Sequence, residues 1–235
     1  MFIVVLIIHE FIAKVNRFRS DFFIVLDRSK IMLYNIRDHP IEFAEADRMK
    51  KTSYTLNVAG LQRELPLCPL NENLYIGAFV IFGDVELTCA CARELLKIAP
   101  PHDVLITSES KGIPLVYEMA RQAGENKYVV ARKMQKLYMS DIFSCDVNSI
   151  TTAKKQTLYL DGADAEWMRG KRVLIVDDVI STGESLRAIE ALVNHAGGNI
   201  VGKMAILAEG EAKDREDILY LEPLPLFDAD GTALS

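Results

Sequence analysis

Val173-Leu174-Ile175-Val176-Asp177-Asp178-Val179-Ile180-Ser181-Thr182-Gly183-Glu184-Ser185 decides the architecture of this chain. Four apolar residues, two acids and two further apolar residues lead into a small hydroxyl- and glycine-containing turn, and a helical pattern follows. A continuous apolar run bounded by polar neighbours reads as a strand buried on both faces, as in a parallel sheet. Ligands of open α/β sheets collect at the carboxyl ends of such strands, which is where Asp177 and Asp178 fall. Ser181, Thr182, Gly183, Glu184 and Ser185 then place hydroxyls and clustered backbone N–H groups at a helix N-terminus, a setting that suits a phosphate dianion. Two carboxylates beside an anion cradle make little sense for phosphate alone. They make sense for a sugar phosphate, with the acids accepting hydrogen bonds from ribose hydroxyls and the turn holding the 5′-phosphate.

Upstream, the chain repeats the strand–turn–helix theme. Residues 74–82 have the composition of a strand. Asp84 can then cap a helix to about Ile98, in which Leu87, Cys91, Leu95 and Ile98 share one face. Pro100-Pro101 ends it. Residues 103–107 read as a second buried strand opening into Glu109-Ser110-Lys111-Gly112, with a helix from Ile113 to about Gln122 behind it. A small polar turn with a cation between strand and helix suits a second anionic group. Residues 127–131 are the third strand, and Arg132-Lys133-x-x-Lys136 comes directly off its end. Three cations in five residues at a sheet's carboxyl edge are a candidate pyrophosphate clamp.

Residues 137–157 are polar and lack helical periodicity, so a long active-site loop is expected there. Residues 156–160 read as a return strand and Asp161-Gly162 as a turn. After the central strand, Leu186, Ile189, Leu192 and Val193 mark the inward face of a helix that stops at Gly197-Gly198. Residues 200–208 form a further strand, and the chain closes on residues 218–227. Strands alternating with helices predict an α/β fold with a doubly wound, mostly parallel sheet.

Composition sets the outer bounds. The 235 residues are 50% hydrophobic and 26% charged, with a net charge of −6. That balance gives no electrostatic ground for nucleic acid or an anionic membrane as partner. An anionic substrate must therefore be met by local cations. Cys68, Cys89, Cys91 and Cys145 show neither metal-site spacing nor a secreted disulfide framework, which points to reduced thiols in a cytoplasmic protein. The apolar run at residues 2–8 is interrupted by His9 and Glu10 well short of the ~20 residues a spanning helix needs. It also lacks the basic flank of a secretory signal. Residues 1–48 are therefore expected to be an appendage outside the fold, with the functional domain at residues 49–235, starting at Met49.

At residues 173–185 the chain resembles the 5-phosphoribosyl-1-pyrophosphate (PRPP) motif of the type I phosphoribosyltransferases. Over roughly residues 70–227 it is similar to adenine phosphoribosyltransferase and its bacterial relatives. The family's Glu-Ser-Arg-Gly pyrophosphate loop is matched by Glu109, Ser110, Lys111 and Gly112. Its Arg-Lys-x-x-Lys is matched by Arg132, Lys133 and Lys136. The resemblance implies transfer of the phosphoribosyl group from PRPP to a nucleobase, foremost a purine such as adenine, with release of pyrophosphate. It implies a small hood over the sheet, a mobile loop, Mg²⁺ carried mainly by substrate and water, and a homodimer. In this reading Asp177 and Asp178 are catalytic. Two departures stand out. Lys111 replaces an Arg, keeping the charge and losing the bidentate fork. The Glu-Tyr-Gly segment of adenine-specific members, whose Glu handles the purine proton, corresponds here to Thr151-Thr152-Ala153-Lys154-Lys155-Gln156, without an acid. A PRPP-sensing regulator of purine genes and a transferase for xanthine, hypoxanthine, guanine or a pyrimidine are the competing readings. No helix-turn-helix pattern precedes residue 70, which disfavours the regulator.

Overall fold

The structure, a computed structural model, describes residues 22–27, 30–35, 51–148 and 155–234. The chain divides into two compact units, Met1–Lys50 and Lys51–Ser235. In the first, β1 (Phe22–Asp27) and β2 (Lys30–Asn35) pair antiparallel, from Phe22 opposite Asn35 to Asp27 opposite Lys30. The apolar run at residues 22–26 is thus one arm of a hairpin whose other arm carries no clear pattern in sequence.

The second unit runs β3 (Ser53–Val58), β4 (Leu61–Pro69), β5 (Tyr75–Gly77), α1 (Val85–Ile98), β6 (Val104–Ser108), α2 (Gly112–Ala123), β7 (Val129–Ala131), β8 (Phe143–Asn148), β9 (Lys155–Leu160), α3 (Gly162–Met168), β10 (Arg172–Ile180), α4 (Glu184–His195) and β11 (Asn199–Glu209). A 3-10 turn (Gly210–Asp214), β12 (Leu219–Leu224) and β13 (Leu226–Phe227) complete it. Five strands form a parallel sheet in the order β12-β11-β10-β6-β7, with the motif strand β10 at its centre. Strand periodicity sorts its residues by face. Val173 and Ile175 pack with Leu186, Ile189, Leu192 and Val193 of α4, whereas Leu174 and Val176 pack with Leu87 and Leu95 of α1 and Leu115 and Met119 of α2. Helices therefore cover both faces, which is the doubly wound arrangement expected. Each of these apolar side chains contributes ~1.5–3 kcal/mol by burial, enough to fix the register of β10 and with it the place of the two acids.

A second, antiparallel sheet has the order β13-β5-β4-β3 and forms the small hood. Only Tyr75–Gly77 of the expected strand at residues 74–82 joins it, because the following residues find no ladder partner. Phe79 and Ile81 still turn inward while Val80 and Phe82 stay exposed. Two further expectations are corrected. Within the 137–157 segment, residues 143–148 and 155–157 are strand rather than irregular loop: β8 and β9 pair antiparallel from Phe143–Leu160 to Asn148–Lys155. Its alternating Phe143, Cys145 and Val147 carry a period-2 signal that polar neighbours obscure. Residues 149–154, which include the Thr151 to Lys154 part of the expected mobile loop, lie outside the described residues. The supposed turn at Asp161-Gly162 instead starts α3, with the Asp161 carboxylate accepting from the Ala163 N–H. The expected cap at Asp84 is present, its carboxylate accepting from the Leu87 amide at the start of α1; Gly124, not anticipated in sequence, ends α2 in the left-handed conformation. Cys68, Cys89 and Cys91 are free thiols, and burial pushes the Cys91 thiol up to about 12. Among the described residues no helix is long and apolar enough to cross a membrane.

Candidate active site

The site is built where β10 ends. Asp177 is half-buried and Asp178 is 4% exposed, and the Asp178 N–H donates to Asp177 Oδ1 at 2.9 Å. From the neighbouring strand–turn, the Lys111 ammonium lies 2.8 Å from Asp178 Oδ2 and donates to the Phe79 carbonyl at 3.2 Å. Burial first, and then the charge of Asp178, push the Asp177 carboxyl well above the ordinary aspartate range, with Lys111 partly opposing them. Gly112 allows this closeness. A Cβ there would collide with Thr107 Oγ1 and come within 3.3 Å of Asp177 Oδ1. The turn carrying Lys111 can approach the acids only because residue 112 has no side chain.

The residues after β10 shape the second feature, a cavity of about 170 Å³ bounded by Asp177, Val179, Ile180, residues 181–185 and Leu186. Gly183 sits at φ +75° as the N-cap of α4, and no side chain caps that helix. The amides of its first turn are consequently left facing the cavity, an arrangement matched to an anion of phosphate size. Two guanidinium groups back this turn. Arg187 Nη1 donates to the Thr182 carbonyl at 3.3 Å, and Arg215 Nη1 lies 2.5 Å from where a Gly183 Cβ would sit. Neither arginine is singled out by the sequence pattern, because their approach depends on the fold of α4 against the 3-10 turn.

The third feature lies one strand further out. Glu109, beyond the end of β6, accepts from Arg132 Nη1 at 3.1 Å and from the Lys133 N–H at 3.1 Å, with Lys136 Nζ 3.5 Å away. Burial alone would raise the Glu109 carboxyl, but the Lys133 amide and the charges of Lys136 and Arg132 outweigh it and hold it below the usual glutamate range. Glu109 thus enters as the counter-ion that gathers the clamp cations. It does not itself offer a positive group to an anion. The backbone of Arg132 is fixed as well, by reciprocal 2.8 Å hydrogen bonds with Tyr159 of β9. A cis peptide joins Glu109 to Ser110.

The fold therefore brings Asp177, Asp178, Lys111, Ser181, Thr182, Gly183, Glu184 and Ser185 together at one strand end. It gathers the Arg132 and Lys136 cations around Glu109, with Lys133 joined to that carboxylate through its backbone N–H. A group absent from the sequence reading joins the first set: Glu209, at the end of β11, follows Ala208, the register partner of Ile180, and burial, aided by the charge of Asp178 and opposed by Lys111, raises its carboxyl above the ordinary glutamate range. Its signal in sequence is an acid ending an apolar run, the same pattern that marks Asp177. Of the residues considered for base contact, Phe79 is core, while Phe82 and Leu137 are exposed. Among the described residues no three His, Cys, Asp or Glu side chains converge to hold a metal. Asp178 Oδ2 is buried with the Lys111 ammonium 2.8 Å away, and with Asp177 beside it the pair offers carboxylate oxygens to a divalent ion held mainly by substrate and water. The residues present fit Mg²⁺ in that role.

Acids against a diol, amides against a dianion and clustered cations against a leaving group describe an α/β protein that can grip an activated sugar phosphate. The comparisons place it in a family. Residues 92–224 match the phosphoribosyl transferase domain, and the chain belongs to that family. The hypoxanthine/guanine phosphoribosyltransferase of Methanococcus voltae is 32% identical over 135 residues, covering 57% of this chain and 68% of that protein. That of Methanotorris igneus is 37% identical over 111 residues, covering 47% of this chain and 56% of that protein. In structure, the adenine phosphoribosyltransferase of Thermoanaerobacter pseudethanolicus superposes with a TM-score of 0.57 at 21% identity, over 68% of this chain and 95% of that one. That of Rhodothermus marinus gives 0.52 at 22% identity, over 75% and 96%. These two likenesses speak to the fold.

Proposed function

We propose that the chain transfers the 5-phosphoribosyl group of PRPP to a purine in salvage, releasing pyrophosphate. The observation carrying this reading is the meeting, at the end of β10, of Asp177, with Asp178 beside it, and the N-terminus of α4, which no side chain caps, around one cavity. The 5′-phosphate binds the amides and hydroxyls of residues 181–185, and the ribose diol donates to Asp177 and Asp178. Bond breaking at C1 runs ahead of bond making, so positive charge grows on the sugar and negative charge on the leaving pyrophosphate. The two carboxylates stabilise the first; Lys111, Arg132, Lys133 and Lys136 stabilise the second. Glu109 positions Arg132 and Lys136. Asp177 and Asp178 would stand beside a Mg²⁺ ion carried mainly by substrate and water, which would supply neutralisation of the diphosphate charge. Folding of the β8–β9 hairpin over the sugar excludes water, the competing nucleophile.

For the base, two readings follow from different observations. The two relatives above, at 32% and 37% identity, are hypoxanthine/guanine enzymes, and the 151–156 stretch lacks the acid of adenine-specific members, which favours 6-oxopurines. The overall resemblance favours adenine. PRPP and Mg²⁺ with adenine, hypoxanthine, guanine, xanthine, uracil and orotate in parallel, scored by pyrophosphate and nucleotide formed, tests both. Binding of PRPP without pyrophosphate release from any base would overturn the enzyme reading in favour of a sensor. A homodimer and a cytoplasmic location belong to the same reading, tested by sedimentation and cell fractionation.

A further inference from the structure

A fixed positive charge stands behind the turn that receives the sugar phosphate. Arg215 follows the 3-10 turn after β11 and reaches back to the N-terminus of α4. Its Nη1 lies 2.5 Å from the position a Gly183 Cβ would take, and its Cζ 3.8 Å away, so the Nη1 corner is the part turned to the Gly183 backbone. The other edge of the guanidinium is pinned. Nε donates to Asp217 Oδ1 at 2.9 Å and Nη2 to Asp217 Oδ2 at 2.7 Å, a bidentate pair. Lys203 of β11 in turn joins Asp217 to Glu190 of α4, with its ammonium 2.6 Å from Glu190 Oε1. Four charged side chains thus run from the body of α4 round to the turn that opens it. We infer that Arg215, held by Asp217 and braced by Lys203, is a positioning residue for the 5′-phosphate of PRPP, an inference that rests on the transferase reading above.

Arg215 is not among the residues bounding the cavity, so it acts on the phosphate through the turn. Two effects combine there. The guanidinium supports Gly183 at φ +75°, the conformation that leaves the first amides of α4 facing the cavity. It also adds charge. A helix N-terminus presents only about half a positive charge, too little to balance a dianion. Glu190, Lys203, Asp217 and Arg215 sum to zero, but the positive member is the one placed at the turn. Hydrogen bonds from Arg215 and then Lys203 hold the Asp217 carboxyl well below the usual aspartate range, so the anchor stays ionised at neutral pH. Residue 183 therefore meets two demands at once, a left-handed backbone and room for a guanidinium, and only glycine meets both.

The test compares wild type with Arg215→Ala and Arg215→Lys by calorimetry in the presence of Mg²⁺. Ribose 5-phosphate probes the turn, and pyrophosphate probes the separate cations at Lys111, Arg132, Lys133 and Lys136. Arg215→Ala should bind ribose 5-phosphate about tenfold more weakly at low salt, with pyrophosphate affinity kept within about twofold. The deficit should shrink to about threefold or less near 1 M salt, because a charge acting across the turn is screened and lost packing is not. Arg215→Lys, which keeps the charge and loses the two-pronged pairing, should recover part of the affinity. Unchanged ribose 5-phosphate affinity in Arg215→Ala, an equal loss for both probes, or a loss indifferent to both salt and the Lys replacement would overturn the inference while leaving the transferase reading standing. Should Ala prevent folding, Arg215→Gln, neutral but still able to donate to Asp217, decides by the same comparison. A wild-type protein that binds neither PRPP nor ribose 5-phosphate would overturn both.

Discussion

Asp177→Asn should make the protein more stable and less active at once, and the two effects should separate with pH. Burial and the adjacent Asp178 charge oppose ionisation of Asp177, so its folded-state pKa stands above its unfolded one. The sign follows from linkage. Where the folded state binds the proton more tightly, wild-type stability is fullest below the unfolded pKa and is lost as pH rises through the folded value. Asn cannot ionise, so the variant avoids that loss. Each tenfold change in proton affinity is worth about 1.4 kcal/mol. The residue is half-buried and Lys111 lies close to the pair, so the gain expected at pH 8 is about 1–3 kcal/mol, or roughly 2–10 °C in Tm for a unit of this size. Asn retains the Oδ1 that accepts from the Asp178 N–H, and Lys111 keeps its contact with Asp178, so no buried partner is orphaned. Calorimetry of both proteins from pH 4 to 8 is the assay, with pyrophosphate release measured alongside. The Tm difference should widen with pH and vanish near pH 4, while turnover of the variant drops at every pH. A variant no more stable than wild type at pH 8, or a difference independent of pH, would refute the argument.

Gly112→Ala should lower stability by about 1–3 kcal/mol, because its Cβ meets Thr107 Oγ1, and Thr107→Ala in the same chain should recover part of the loss; thermal melts of the four proteins of the cycle check this. Glu109→Gln should raise the KM for PRPP several-fold and leave Tm nearly unchanged, since the cations it gathers would spread apart; steady-state kinetics reads it out. Arg172→Ala removes the pair with Asp103 at the amino ends of β10 and β6, far along the strands from the site. It should lower Tm by a few degrees with kcat/KM retained. A chain beginning at Met49 should fold and transfer phosphoribosyl groups as the full chain does, compared side by side in the same assay.

The local chemistry was written in contiguous residues. The run at residues 173–176 fixed a strand buried on both faces, the acids that follow fell at its carboxyl end, and a glycine turn before an apolar-periodic helix prepared the anion cradle. Those features rest on short-range physics: side-chain periodicity, helix-end amides and the φ freedom of Gly183. The return strand at residues 156–160 was legible and is β9, but β8 was obscured because its apolar residues alternate with polar ones and read like a loop. The stop of β5 at Gly77 was equally hidden, since a strand lasts only as long as its neighbour in the sheet. Register against β11 alone brought Glu209 level with Ser181, and packing alone set Arg187 and Arg215 behind the phosphate turn. The opposite duties of Lys111 and Glu109, one drawn to the acids and the other gathering the cations, also arose in three dimensions. Sequence specifies which charges a chain carries, but the side each faces, and hence its partner and proton affinity, is set by residues distant along the chain that folding makes into neighbours.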